Sequence, residues 1–582
     1  MTRPVLAHGA ARDAAATGHR AAPSRGRLAW AAGTVLAAVA LFFAYYRQSR
    51  TVPLRSDAGS VSLQAWDMLH GNVLLSHWHM SDVSFWSTEL VQYVLLEAVH
   101  GLGPGVVHLG GAMTYTLLLA LAAYLAKGRA RGRAALVRML VVLAVMLAPA
   151  AVESPTLLLT PDHLGSAVPV LLAWLAVDRL APATSVTPSS SATPDTPAGR
   201  RPTVRWLLPA LVLVLLVWGQ VADGLVLLTG AVPMAIVCGA RALVLLRRRA
   251  SGVFPWLETS LAVAALASVA LAHGVEAAIR VSGGYVLQPV ATTFIHPADL
   301  PHVVKLTIEG LTTLFGVPVS AARTGPELFF ALVHLAGLLA VAGAVLLALA
   351  QIARAQTGRA RRPGAGAGTG TGAGAGLMIG GLAIAIVINV AAFVATPYAQ
   401  NLLSAREIAA VLPFGAVLAG RQLAEPLLGL RRARKPLLTL LATVLVLNLA
   451  ALGYHAAQPA RPADNQALAN WLLTHRLTAG LSSDYWAANS TTLAAGGRVT
   501  VRQISIDRNW RLVPPEIWGN QSGWYDPDHY RATFMVEPDA QPRAWRAEWW
   551  SAVRTFGRPA RTLHTDGYTV LVWHRNLLAA IR

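Results

Sequence analysis

Apolar residues along this chain gather into eleven runs, most of them about 16 to 23 residues long. About 20 helical residues rising 1.5 Å each cross a hydrocarbon core of roughly 30 Å, so each run is a candidate crossing. The runs are Leu28 to Tyr46, Val106 to Ala126, Val137 to Val152, Leu164 to Leu180, Trp206 to Val221, Gly224 to Leu246, Phe254 to His273, Leu328 to Ala350, Leu377 to Val394, Ile408 to Leu423 and Leu437 to Ala456. Leu164 to Leu180 and Ile408 to Leu423 are short for a perpendicular crossing and are read as tilted or partly re-entrant. The pattern predicts a polytopic α-helical membrane protein of about eleven transmembrane helices over residues 28–457, followed by a small C-terminal extracytoplasmic α/β domain over 458–582. Leu28 to Tyr46 is too long for a signal-peptide core and lacks a small-residue cleavage site after it, so it is read as an anchor.

Between the runs, three segments carry mixed patterns. In the first loop, 47–105, Val61, Ala65, Met68 and Leu69 share a helical face opposite Gln64, Asp67 and His70, which predicts an amphipathic helix on the membrane surface. Leu90 to Val99 is about ten residues, too short to cross, and reads as a further interfacial or packed helix. The loop 276–327 combines Gly283, Gly284, Pro289, Pro297 and Pro301 with an amphipathic stretch from Val303 to Phe315, a mobile loop plus a surface helix. In 458–582, expected to fold on its own, helical spacing marks Asn465 to His475 and Ala544 to Phe556. Strand patterns mark Val499 to Ile506, Ala532 to Val536 and Tyr568 to Trp573. Two linkers, 181–202 rich in Pro, Ser and Thr and 364–376 of Gly, Ala and Thr, read as disordered.

Charge orients this layout. The chain is 13% charged with a formal net charge of +20. Of its 48 Lys and Arg, 27 lie in six short segments: 1–27, 127–138, 179–205, 241–249, 351–362 and 421–435. Only Asp13, Asp195 and Glu425 oppose them there. Basic loops therefore alternate with neutral or acidic ones, a positive-inside pattern that puts the basic tail 1–27 in the cytoplasm of a plasma-membrane protein and the C-terminus outside. The charge needs no nucleic acid. The single cysteine, Cys238, lies inside an apolar run and excludes an intrachain disulfide.

No phosphate-binding loop, dinucleotide fingerprint, zinc-ligand spacing or serine-hydrolase elbow occurs in a fitting context. Polar candidates collect instead in the loops assigned outside. Asp57, about ten residues past the first run, is placed to act as a base at the headgroup level or to cap the helix that follows. His77 and His79, with Phe85, Trp86 and Glu89 nearby, suit a metal or a sugar, or belong to a solvated loop with interfacial aromatic anchors. Glu153, Asp162 and His163 lie between the third and fourth runs, where an acid orients an acceptor, holds a divalent cation or caps a helix. Arg406 and Glu407 precede the tenth run as a mutual ion pair or a phosphate contact, and Arg280, Lys305 and Arg323 are further cations suited to an anionic lipid carrier. Nine of the seventeen tryptophans fall in 458–582, as core or as sugar-stacking faces.

This arrangement resembles the GT-C superfamily of polytopic glycosyltransferases, which includes the protein mannosyltransferases, the aminoarabinose transferases and actinobacterial arabinosyl and mannosyl transferases. The resemblance covers most of the chain and rests on layout: an Asp soon after span one, a helix behind it, an acidic second outer loop, a long later loop and an outer C-terminal domain. It implies that Asp57 is the catalytic base, that Glu153 or Asp162 is the second-loop acid, and that the donor is a polyprenyl-phosphate sugar. The acceptor would be an extracytoplasmic glycan, lipid or protein. Ser56 and Ala58 flank Asp57 where relatives often carry a second acid, so a metal-independent, inverting transfer is expected and a divalent cation is the alternative. A lipid or glycan transporter or flippase is a rival, for which His108, Asp223, His334, Asn389 and Asn448 are the polar residues in or near spans. A non-catalytic envelope-assembly protein is another.

Overall fold

The computed structural model describes residues 25–54, 56–159, 163–181, 203–247, 254–289, 293–317, 325–356, 373–430, 432–539, 542–565 and 567–581. The tail 1–27 and the linkers 181–202 and 364–376 lie largely outside these residues, as do Asp162 and Arg323. The chain divides into two compact units, 1–41 and 42–582. In the first unit, the described residues 25–41 are helical.

Among the described residues, six helices are long and apolar enough to cross a membrane: Pro104–Lys127, Leu227–Arg247, Trp256–Val281, Gly325–Arg354, Ala373–Ala395 and Arg434–Ala456. The number rises to eight if two bent pairs each count as one span. Gly132–Met146 with Ala151–Leu158 bends by 76°, and Leu402–Ile408 with Val411–Gly429 by 54°. Pro149 interrupts the first pair, since proline disfavours helix in the residue before it. In the second pair Asn401 starts a new turn through a capping box with Ser404. Two other expected spans are shorter: Ala167–Leu180 has 14 residues, about 21 Å of helix, and the apolar part of Thr203–Ala222 begins at Trp206.

Small residues let these helices approach closely. Gly111 of Pro104–Lys127 abuts the backbone carbonyl of Leu158, and any Cβ there would overlap it. Gly111→Ala should therefore destabilise the protein by about 1–3 kcal/mol through overpacking, read as a lower unfolding temperature in detergent; an unchanged value would refute this packing. At the far end of the same helix, Arg421 donates to the Leu125 carbonyl and pairs with Asp178 at 2.8 Å, joining three helices through one buried guanidinium.

The helix expected on the membrane surface is instead enclosed. It spans Ser56–Leu69, and Ala58, Ser60, Val61, Ser62, Gln64 and Ala65 are all buried, so both its apolar and its small polar faces are covered. The reason is close approach: a Cβ at Gly59 would lie 3.2 Å from the Asn489 carbonyl oxygen, so the helix Tyr485–Ala494 packs directly on it. Glu89–His100, the expected packed helix, covers it as well, with Ser62 donating to Glu97. The amphipathic stretch of the later loop forms Leu300–Leu314, which buries Val303, Leu306 and Leu314 and sets Gly310 against Ala405.

In the C-terminal region a mixed sheet is built from β1 (Ala479–Ser482), β2 (Thr500–Gln503), β3 (Phe534–Pro538), β4 (Arg561–Thr565) and β5 (Tyr568–Val572), in the order β2-β1-β3-β5-β4. β1 runs parallel to both β2 and β3, and β5 runs antiparallel to β3 and β4. Part of its hydrophobic core is shared with the first loop: Leu481, Leu493, Trp524 and Leu571 belong to one cluster with Val61, Ala65, Trp78 and Leu90, while Val501, Phe534, Val536 and Val570 belong to a separate one. A two-residue antiparallel ladder of Trp78 and His79 with Gln521 and Asn520 adds backbone hydrogen bonding to that seam.

Candidate active site

Asp57 is the second residue of Ser56–Leu69, in the first turn, where a carboxylate complements the exposed N–H groups. Its side chain is taken up by tertiary partners. The Tyr485 hydroxyl donates to Oδ1 at 2.8 Å, and Arg406 Nη1 lies 3.7 Å from Oδ2. Tyr485 opens the helix that packs at Gly59, so the close helix approach and the phenol contact arise from one docking event. Burial, and then the adjacent Asp57, push the Tyr485 phenol well above its usual range, which keeps it a proton donor.

Arg406 and Glu407 sit in the turn Leu402–Ile408, with Arg406 Nε 3.7 Å from Glu407 Oε1. The other Glu407 oxygen meets His163 Nε2 at 3.0 Å, while His163 Nδ1 meets Asp223 Oδ2 at 2.9 Å. Asp223 is itself fixed, because its Oδ1 accepts from Leu225 N and the preceding Ala222 carbonyl accepts from Ser84 and Phe85. His163 holds a backbone φ of +24°, strained for a side-chain-bearing residue, and the Phe85 ring meets its imidazole edge to face at 6.2 Å. Burial alone would lower the His163 pKa, but Glu407 and Asp223 on either side carry it well above the usual imidazole value. The two flanking acids thus favour the protonated form of the imidazole between them.

These groups surround a cavity of about 250 Å³ lined by Asp57, Asp82, Phe85, His163, Arg406 and Glu407, with Val61, Ser81, Val83, Tyr398 and Trp518 completing the wall. A polar space of this size suits a small hydroxylated group rather than an isoprenoid tail. Burial raises the Asp82 carboxyl above the usual carboxylate range, with His163 opposing the rise. The lining presents three carboxyl groups, one guanidinium and one imidazolium, a set able to accept hydrogen bonds from sugar hydroxyls and to meet a phosphate at one edge.

Of the residues singled out from sequence, Asp57, His163, Arg406 and Glu407 meet here. His77 is exposed, and His79 pairs through its backbone with Asn520. Arg280 lines a separate cavity of about 280 Å³ with His273, Glu276 and Tyr285. Lys305 lies on the exposed face of its helix, and Glu153 is buried in a turn away from the cavity wall. Tyr485, Trp518 and Asp223 acquire their roles only through the fold. Among the described residues, no group of three His, Cys, Asp or Glu is placed to hold a metal ion. The C-terminal tryptophans divide: Trp524 and Trp573 are core, whereas Trp486, Trp510 and Trp550 are at least half exposed. Trp510 and Trp550 border an open apolar hollow of about 710 Å³ that Arg554 also lines.

No protein-family model matches the chain, and neither does any curated protein. Among solved structures, it is similar to ArnT from Cupriavidus metallidurans in a crystal structure bound to undecaprenyl phosphate. The two are 14% identical, the match covers 93% of this chain and 98% of that one, and the TM-score is 0.48.

Proposed function

We propose that this chain is an integral membrane glycosyltransferase that moves a sugar from a polyprenyl-phosphate donor to an acceptor outside the cytoplasm. The observation that carries the reading is the meeting of Asp57 and Arg406, nearly 350 positions apart in sequence, at the wall of one polar cavity beside a bundle of apolar helices. The alternation of basic and neutral loops supports a cytoplasmic N-terminus and an outer location for that cavity.

In the proposed step Asp57 accepts the proton of an acceptor hydroxyl as its oxygen bonds to the anomeric carbon. The bond from that carbon to the lipid phosphate oxygen breaks on the opposite face, its electron pair leaves with the phosphate, and the configuration inverts. Arg406 stabilises the phosphate as its charge develops. Asp82 and Glu407 hold the sugar hydroxyls, His163 keeps Glu407 in place, and Phe85 and Trp518 bound the ring.

The test is incubation of purified protein with labelled polyprenyl-phosphate sugars and glycan, lipid and peptide acceptors. A glycosylated acceptor is expected; movement of intact donor across proteoliposomes without transfer, or retention of donor without either, would overturn the reading. Arg406→Ala should lower kcat/KM for the donor by about 10²-fold, and a value within threefold of wild type would remove Arg406 from this role.

A further inference from the structure

We infer that the C-terminal region completes the catalytic site, with Tyr485 as the positioning residue that holds Asp57 in its reactive orientation. The inference rests on the assignment of Asp57 as base and extends it, because the residue responsible lies 428 positions away, in the C-terminal region.

A carboxylate in the first turn of a helix has more than one staggered rotamer open to it unless a partner fixes it, and a base misplaced by 1 Å loses much of its effect. Tyr485 supplies that partner. Its hydroxyl donates to Oδ1 at 2.8 Å and lies 3.4 Å from Ser60 Oγ, one turn further along the same helix. The phenol is itself held: Asn489, one turn on from Tyr485, donates to Ser60 Oγ at 2.8 Å and to the Gly519 carbonyl at 2.9 Å. Gly519 has no room for a side chain, since a Cβ would press on Ser60, and its φ of +77° suits glycine. Trp518, the residue before it, lines the cavity and faces the Tyr485 ring at 6.0 Å between centroids. One set of contacts thus fixes Asp57 and sets an aromatic wall beside it. With Oδ1 engaged by Tyr485, Oδ2, on the Arg406 side, is left to take the acceptor's proton.

The phenol fits positioning better than proton transfer. It is a donor to a carboxylate, and burial with Asp57 beside it disfavours its ionisation. Losing the hydroxyl should therefore slow the chemical step and leave donor binding intact.

The experiment compares Tyr485→Phe, Ser60→Ala and Asp57→Asn in the full-length, detergent-purified protein, with a labelled polyprenyl-phosphate sugar as donor. Tyr485→Phe keeps the ring and its packing, so its unfolding temperature should match wild type while kcat falls about 10-fold or more and the donor KM stays within twofold. Ser60→Ala should lower kcat less, because Asn489 still ties to Gly519. If Asp57→Asn turns over at the wild-type rate, the base assignment fails and the positioning role fails with it. If Asp57→Asn is inactive while Tyr485→Phe keeps wild-type kcat, or loses activity only through KM, the base assignment stands and the positioning role is overturned.

Discussion

Asp57→Asn and Asp57→Ala should each lower sugar transfer by at least about 10³-fold, within the range that a positioned general base contributes, while the protein is extracted from membranes at the wild-type level. Asparagine keeps the size of the side chain and an oxygen that can accept from Tyr485, so it preserves the contact and removes only the proton acceptor. The fold should tolerate the change. Asp57 pairs with Arg406 at 3.7 Å with both side chains partly exposed, and such a pair contributes about 1 kcal/mol or less. Initial rates with labelled donor at saturating acceptor measure the effect. Wild-type turnover by either variant would leave the cavity without its base and the transferase reading without its mechanism.

His163→Ala should have the largest effect on stability. The imidazolium is buried between Asp223 and Glu407, and its removal leaves two acids facing each other across the space it vacates. Breaking a buried charge arrangement by removing one partner costs about 3–5 kcal/mol, expected as a marked fall in unfolding temperature and in recovered folded protein. The same bridge makes a pH prediction. The folded pKa of His163 lies above the unfolded value near 6.5, so its stabilisation is complete below about pH 6.5 and is lost as pH rises through the raised folded value. The wild-type unfolding temperature should thus decline with rising pH more steeply than that of His163→Gln, which is neutral throughout. Parallel slopes for the two proteins would show that the imidazole is uncharged in the fold and refute the bridge.

The parts legible from sequence are those where a local pattern has one structural outcome. Long apolar runs became helices because a backbone in hydrocarbon has to bond to itself, and Leu90 to Val99 was too short for a crossing and proved a packed helix. In the C-terminal region the alternating segments around Val501, Val536 and Leu571 emerged as strands. The interior strand β1, Ala479–Ser482, lacks the β-branched residues that mark strands, and Tyr485–Ala494 mixes polar and apolar residues because all of it from Ala487 on is buried. The helix Ser56–Leu69 misled for a related reason: Ser60, Ser62 and Gln64 are small or uncharged polar residues that suit solvent as well as they suit a second helix packed on Gly59.

At the site the division is similar. Asp57, His163, Arg406 and Glu407 stood out as charged residues beside apolar runs, but so did His77, His79, Arg280 and Lys305, and sequence offers no means of separating the two groups. Separation depends on which loops meet, and that depends on helix packing over hundreds of residues. The chain by itself determined that it is a many-helix membrane protein, since hydropathy acts locally and adds along the sequence. Tertiary structure alone decided which acids share a cavity, that His163 is clasped by two carboxylates, and that a tyrosine from the last fifth of the chain reaches an aspartate near its start. Such pairings are set by the close fit of small residues such as Gly59 and Gly519, whose effect appears only when the surfaces they permit are brought together.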